Sequence, residues 1–181
     1  EDTDLARSTD ESTRSILEGL KWLGFAPDEE IVFQSDNADK HREAAKRLLA
    51  EGKAYRDFTP KAEPSDANVK ETIKERARAQ GGDKNFRDNP YRELSREESD
   101  ARAAAGESFA IRLKVPDVGT GGDSGWGSQS GKTSFEDGVY GLQERDFSET
   151  EDLVLLRSDG HPLYNLAVVL DDIEMAITDV I

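Results

Sequence analysis

Apolar residues recur at helical spacing in two early stretches of the chain and alternate with polar ones in a later stretch. Ile16, Leu17, Leu20 and Leu23 form a stripe ended by Gly24. Ser8 with Glu11 reads as a capping box ahead of that stripe, so the pattern predicts an amphipathic helix. A second helix is predicted from Ala38 to Glu51, with Ala44, Ala45, Leu48 and Leu49 inward and Gly52 past its end. Ala54 to Phe58 reads as a short strand. Pro60 and Pro64 then punctuate a shift in composition, which marks a domain boundary.

Beyond that boundary, Ala67 to Gln80 reads as a charged helix with Val69, Ile73 and Ala77 on one side. Gly81 to Pro90 is a loop, and Ser95 with Glu98 repeats the capping-box pattern before a helix closed by Gly106. Phe109, Ile111, Leu113 and Val115 alternate with polar positions, as in a half-buried strand. A Gly- and Ser-rich loop from Gly119 to Gly131 precedes strands near Thr133–Phe135 and Val139–Leu142. A strand is predicted from Asp152 to Arg157, and Pro162 sits where a first helical turn tolerates it. Leu163, Leu166, Ala167 and Leu170 then predict a short buried helix, followed by a strand at Ile177–Ile181. The order predicts a parallel α/β sheet interrupted by an α+β insert.

Composition narrows the function classes. Apolar residues make up 35% of the 181 and charged residues another 35%, enough for a modest core. The longest apolar run, Leu166 to Leu170, is far shorter than the ~20 residues of a membrane span. The acidic N-terminus has no apolar leader and no initiator Met, so a fragment is expected, with the cytoplasm as compartment. The absence of cysteine excludes disulfides and thiolate zinc sites, and His41 and His161 stand isolated. A net charge of −15 argues against sequence-independent nucleic-acid binding. Locally the balance reverses: seven basic residues face four acids between Asn68 and Arg92, the pattern of a solvated helix with ion pairs or of a basic surface.

Gly131, Lys132 and Thr133 imitate the end of a phosphate-binding loop. That loop needs a glycine where Trp126 stands, and no buried strand precedes it. The block Glu1, Asp2, Thr3, Asp4 with Arg7 places three carboxylates ahead of a helix. They either cap it and favour its positive end, or grip an ammonium group or ribose hydroxyl at the edge of an α/β sheet. The run from Arg157 to Asp172 joins a polar turn, one aromatic hydroxyl and an apolar stretch to two adjacent carboxylates. Tyr164 is either a core aromatic or a ligand-binding hydroxyl. Asp171 and Asp172 either end the helix in solvent or have a nearby partner, because the helix dipole disfavours carboxylates there.

Together these blocks resemble bacterial glutamyl-tRNA synthetase, a class I aminoacyl-tRNA synthetase. The matching pieces are EDTD with Arg7, Leu17–Phe25, Gln34–Ser35, Ala44–Tyr55, Phe109–Pro116, the run ending at Asp172, and ITDVI at the end. Their order and spacing agree along nearly the whole chain. The resemblance implies a nucleotide-binding α/β domain, truncated at both ends and interrupted by an acceptor-stem-binding insert. On that basis residues 1–58 and 153–181 are catalytic and 59–152 form the insert.

It also implies ATP-dependent ligation of glutamate to tRNA(Glu) through glutamyl-adenylate, with magnesium on the phosphates and no zinc. Glu1, Tyr164 and Val168 would meet glutamate. Thr3 and Asp4 would meet the terminal adenosine, and Arg7 ATP or substrate. Lys70, Lys74, Arg76 and Arg78 would hold acceptor-stem phosphates, contacts that position the tRNA without reading its bases. The family's two ATP-binding signatures, of HIGH and KMSKS type, are absent, and Arg56, Asp57 and Phe58 stand where some members carry zinc-binding cysteines. The isolated chain is therefore expected to be inactive. The alternatives are a tRNA-binding module without catalysis and the related ligase that loads glutamate onto a modified base of tRNA(Asp).

Overall fold

A computed structural model describes residue 2 and residues 8–60, 89–116 and 131–180. The predicted helix Ala67–Gln80, most of the Gly119–Gly131 loop and Ile181 lie outside them. The chain divides into two compact units, Glu1–Arg47 with Leu155–Ile181, and Leu48–Val154. The first is built from both ends of the chain and the second from its middle.

In the first unit, helix α1 spans Asp10–Trp22. Its cap is Thr9, not Ser8: Thr9 has extended backbone, and its hydroxyl accepts the Ser12 N–H at 3.2 Å. The predicted Ser8–Glu11 capping box does not form; the cap lies one residue later, which puts Asp10 and Glu11 in the first turn, where the helix dipole favours them. The apolar stripe is present, yet α1 buries none of its residues; Ile16 is 65% exposed and Trp22 85%.

A 3-10 turn at Gln34–Asn37 leads directly into α2, Ala38–Ala50, which buries Ala44 and Ala45 as predicted and also His41, while Leu48 and Leu49 are half-buried. Strand β5, Val154–Leu156, brings the chain back to the first unit. The last helix of the chain covers Tyr164–Glu174 and buries Leu166, Ala167 and Asp171. Pro162 precedes this helix instead of starting it. It is bridged to Leu156, and the Leu163 N–H donates to Leu155 O at 2.9 Å, a bond that holds Leu163 extended as the cap.

The predicted strand at Ile177–Ile181 does not form among the described residues. The Ile177 N–H is spent on Asp172 O at 2.9 Å, closing the helix, and Val180 is 86% exposed with no ladder around it.

In the second unit, β1 (Ala54–Asp57) pairs antiparallel with β2 (Ala110–Leu113), Tyr55 opposite Arg112 and Arg56 opposite Ile111. The β2 N–H of Leu113 also donates to Leu153 O at 2.8 Å, just before β5. Helix α3, Arg96–Ala104, starts with both halves of the predicted Ser95–Glu98 capping box. Phe58 meets Tyr91 and Phe109 edge-on, at ring centroid distances of 5.6 and 5.5 Å, and the Arg102 guanidinium lies over Phe58 and Tyr91.

Strands β3 (Lys132–Asp137) and β4 (Gly141–Asp146) form an antiparallel hairpin. Val139 and Tyr140 belong to its turn and not to the predicted strand, because Asp137 accepts both of their N–H groups at 2.8 Å. Lys132 and Thr133 lie within β3, a geometry without the loop-to-helix passage a phosphate cradle needs. Among the described residues no helix is long and apolar enough to cross a membrane.

Candidate functional site

The turn between β5 and the last helix, α4 (Tyr164–Glu174), is held by short-range bonds. The Arg157 N–H donates to His161 O at 2.9 Å and the Gly160 N–H to Arg157 O at 2.8 Å. Asp159 accepts from Arg157 Nη2 at 2.7 Å and from the His161 N–H at 3.0 Å. The Arg157 guanidinium above all, with the His161 N–H adding to it, holds the Asp159 carboxyl down at about 2. From α2, Arg42 Nε donates to Gly160 O at 3.0 Å. The polar rim of the run is thus a braced turn that sets where α4 begins.

Tyr164 is the first residue of α4 and is 51% exposed, so its ring is not part of the core. Val168, one turn on, is half-buried, while Leu166 and Ala167 on the covered side are buried. Among the sequence-predicted glutamate contacts, these two are described. They share one side of α4, since four residues advance about 400° around a helix. Glu1, Thr3, Asp4, Arg7, Lys70, Lys74, Arg76 and Arg78 lie outside the described residues.

The far end of α4 holds what the sequence left open. Asp171 is 6% exposed and does not reach solvent. Its Oδ1 accepts from Asn37 Nδ2 at 3.1 Å and from His41 Nε2 at 2.8 Å. His41 is fully buried at 0% exposure. These two donors are the compensation that a carboxylate near a helix C-terminus requires. Asp171 Oδ2, His41 Nδ1 and Gln34 Oε1 are enclosed without a partner among the described residues. Two residues before Asn37, Ser35 donates its N–H and its hydroxyl to the Asp2 carboxylate, at 2.9 and 2.5 Å. The signal in the sequence was the adjacent carboxylate pair, which demanded a partner; nothing in the pattern identified Asn37 or His41 as that partner.

Among the described residues of the second unit, two further carboxylates are buried, Asp57 and Asp152. Burial alone would raise Asp57, but hydrogen bonds from Thr59, Asn89 and Arg112 outweigh it and hold the carboxyl below its ordinary range. The Arg112 contact is 2.6 Å and the Thr59 hydroxyl 2.6 Å. Asp152 accepts from Arg92 Nε at 2.9 Å and from the Val115 N–H at 2.9 Å. Burial first, and then the neighbouring Asp152 carboxylate, pushes the Tyr55 hydroxyl well above its ordinary range. All of these groups sit on the β1–β2 pair or its flanks, and the two carboxylates are held by protein donors.

Comparison with known proteins identifies the family and the fold. Residues 1–181 match the family model described as tRNA synthetases class I (E and Q), catalytic domain. The chain is 43% identical over 182 aligned positions to the glutamate–tRNA ligase of Solibacter usitatus, covering 100% of this chain and 34% of that protein. It is also 43% identical to the glutamate–tRNA ligase of Phenylobacterium zucineum, covering 33% of it. In structure it resembles the glutamate tRNA ligase of Elizabethkingia meningosepticum solved in complex with its amino acid, at a TM-score of 0.73 and 25% identity. That match covers 97% of this chain and 34% of the other. The glutamate-tRNA synthetase of Elizabethkingia anophelis gives a TM-score of 0.75 at 26% identity, over 98% of this chain and 35% of that one. The chain spans about a third of the length of the curated relatives it matches. With the class I catalytic fold and the whole chain accounted for by one family model, this protein belongs to the class I tRNA synthetases for glutamate and glutamine, as part of their catalytic domain.

Proposed function

We propose that this chain is a part of a glutamate–tRNA ligase that binds glutamate and the acceptor end of tRNA(Glu). The observation that carries the reading is the 43% identity to glutamate–tRNA ligases along the entire chain. In the two-step reaction, a glutamate carboxylate oxygen attacks the α-phosphate of ATP and expels pyrophosphate. A ribose hydroxyl of the terminal adenosine then attacks the glutamyl carbonyl and releases AMP. Tyr164, half exposed at the first residue of α4, would offer its hydroxyl to the amino acid, with Val168 one turn on beside it. Glu1 would meet the substrate's ammonium group, Thr3 and Asp4 the adenosine, and Arg7 ATP or substrate.

Lys70, Lys74, Arg76 and Arg78 would hold backbone phosphates of the acceptor stem. The construction of one unit from both chain ends and of the other from the middle supports a catalytic domain interrupted by that insert. Residues 1–58 and 153–181 would then serve catalysis and 59–152 the acceptor stem, in a cytoplasmic enzyme. Magnesium would neutralise the phosphates of ATP. The described residues gather no group of three His, Asp or Glu side chains, and magnesium on a nucleotide needs none, being held by one or two carboxylates together with the phosphates.

The test is glutamate-dependent pyrophosphate exchange and tRNA charging by a protein of the relatives' full length that carries this chain. Glutamate-specific charging is expected; acceptor-stem binding with no adenylate formed would replace the reading with a tRNA-binding module. Tyr164→Phe should raise the KM for glutamate about 3- to 10-fold, the value of one hydrogen bond of ~0.5–1.5 kcal/mol. Unchanged kinetics would remove Tyr164 from the pocket.

A further inference from the structure

The short turn Gln34–Asn37 carries more polar contacts than a connector needs. In a 3-10 helix successive side chains are about 120° apart, so Ser35 and Asn37 point to different sides of the same turn. On one side Ser35 holds the Asp2 carboxylate with two hydrogen bonds. On the other, Asn37 holds Asp171 of α4, and His41, one turn into α2, donates to the same oxygen. Asp171 lies seven residues after Tyr164. Seven residues turn a helix about 700°, so the two side chains leave α4 within about 20° of the same direction. They are separated by roughly 10 Å along the axis. Rotating α4 so as to swing Tyr164 would draw the buried Asp171 carboxylate off both donors, and a buried carboxylate does not give up its hydrogen bonds cheaply.

We propose that the Gln34–Asn37 turn is a positioning element of the amino-acid site. Asn37 and His41 set the rotation of α4, and with it the direction of Tyr164 and Val168. Ser35 anchors Asp2, the residue between Glu1 and Thr3, to the same turn. Asn37, His41 and Ser35 are positioning residues that act through their neighbours. The inference rests on the proposed glutamate-ligase function.

The experiment uses the full-length enzyme with Asn37→Ala, Ser35→Ala, His41→Leu and His41→Gln. KM is measured separately for glutamate, ATP and tRNA, together with thermal melting. Asn37→Ala is expected to raise the KM for glutamate about tenfold, as for loss of one charge-assisted hydrogen bond. The ATP value should stay within twofold. His41→Gln, whose side chain keeps a donor, should recover most of what His41→Leu loses. In a Tyr164→Phe background the Asn37→Ala effect should shrink, because the residue whose direction Asn37 sets no longer has its hydroxyl.

A wild-type enzyme that does not charge glutamate would overturn the function itself, before any variant is compared. A wild-type enzyme that charges glutamate while Asn37→Ala leaves its glutamate KM within twofold would overturn the positioning role. A uniform rise of all three KM values with a lower melting temperature would do the same, since it marks general loosening. Should His41→Leu fail to fold, Asn37→Ala and Ser35→Ala, at half-buried positions, carry the decision.

Discussion

Asp152 in the second unit and Asp171 in the first are buried to nearly the same degree, at 1% and 6% exposure, yet they are satisfied in different ways. Asp152 spends both oxygens on fixed donors, the Arg92 guanidinium and the Val115 N–H, and Arg92 also donates to Val115 O. Asp171 receives two donors on one oxygen, from an amide and an imidazole, and its other oxygen is enclosed without a partner among the described residues. The first arrangement is a closed ion pair with backbone bonds, which locks strand ends together. The second holds a helix in place but leaves acceptor capacity unused. Burial alone therefore does not say what a carboxylate is for; the completeness of its hydrogen bonding does.

The sharpest way to break this comparison is to orphan each carboxylate. Arg92→Met leaves the Asp152 charge buried and unpaired and is expected to cost about 3–5 kcal/mol, measured by urea unfolding. The double variant Arg92→Met with Asp152→Leu should recover much of that loss, because it removes the charge as well. Asp171→Asn should cost less, about 1–2 kcal/mol, since the amide oxygen can still accept from Asn37 and His41. Equal costs for Arg92→Met and Asp171→Asn would erase the distinction.

Tyr55 offers a probe by pH. Its hydroxyl is raised in the folded state, so the stability it contributes is fully present below its unfolded value of about 10. That contribution is lost as pH rises from there toward the folded value, by at most about 1.4 kcal/mol per pH unit. Tyr55→Phe should flatten the decline of stability above pH 10. An unchanged alkaline slope would mean that the hydroxyl is not shielded beside Asp152.

Much of this organisation was legible in the chain, and the failures share a cause. The helix ends at Gly24, Gly52 and Gly106 and the Ser95–Glu98 box are local signals, and each appears in the structure. Of the alternating Phe109, Ile111, Leu113 and Val115, a strand forms over Ala110–Leu113, but only Ile111 and Val115 are buried. The stripe of α1 was also legible, but periodicity announces a face and not what covers it, so its exposure could not be read. The strand at Ile177 failed because its N–H was already claimed by Asp172 O, five residues back. In the candidate site, the need for a partner at Asp171 could be inferred. Asn37, 134 residues away along the chain, could not, because an exposed-looking Asn in a turn carries no record of the helix it meets.

The smallest effect is expected at the end of α4, where one helix departs from the other three described helices. Each of α1, α2 and α3 closes on a glycine with positive φ, followed by a residue whose N–H bonds back five positions. Helix α4 makes the same pair of bonds, Ala176 N–H to Ile173 O and Ile177 N–H to Asp172 O, but the left-handed residue is Ala176, with φ of 53°. A Cβ in that conformation costs about 1 kcal/mol. Glycine removes that cost while adding freedom to the unfolded chain, so Ala176→Gly should stabilise the protein by roughly 0.5 kcal/mol. Thermal melting and amide exchange over α4 would register the gain. A loss of stability would show that the α4 terminus, and with it the setting of Asp171 four to five residues earlier, depends on the alanine side chain and not on the backbone turn alone.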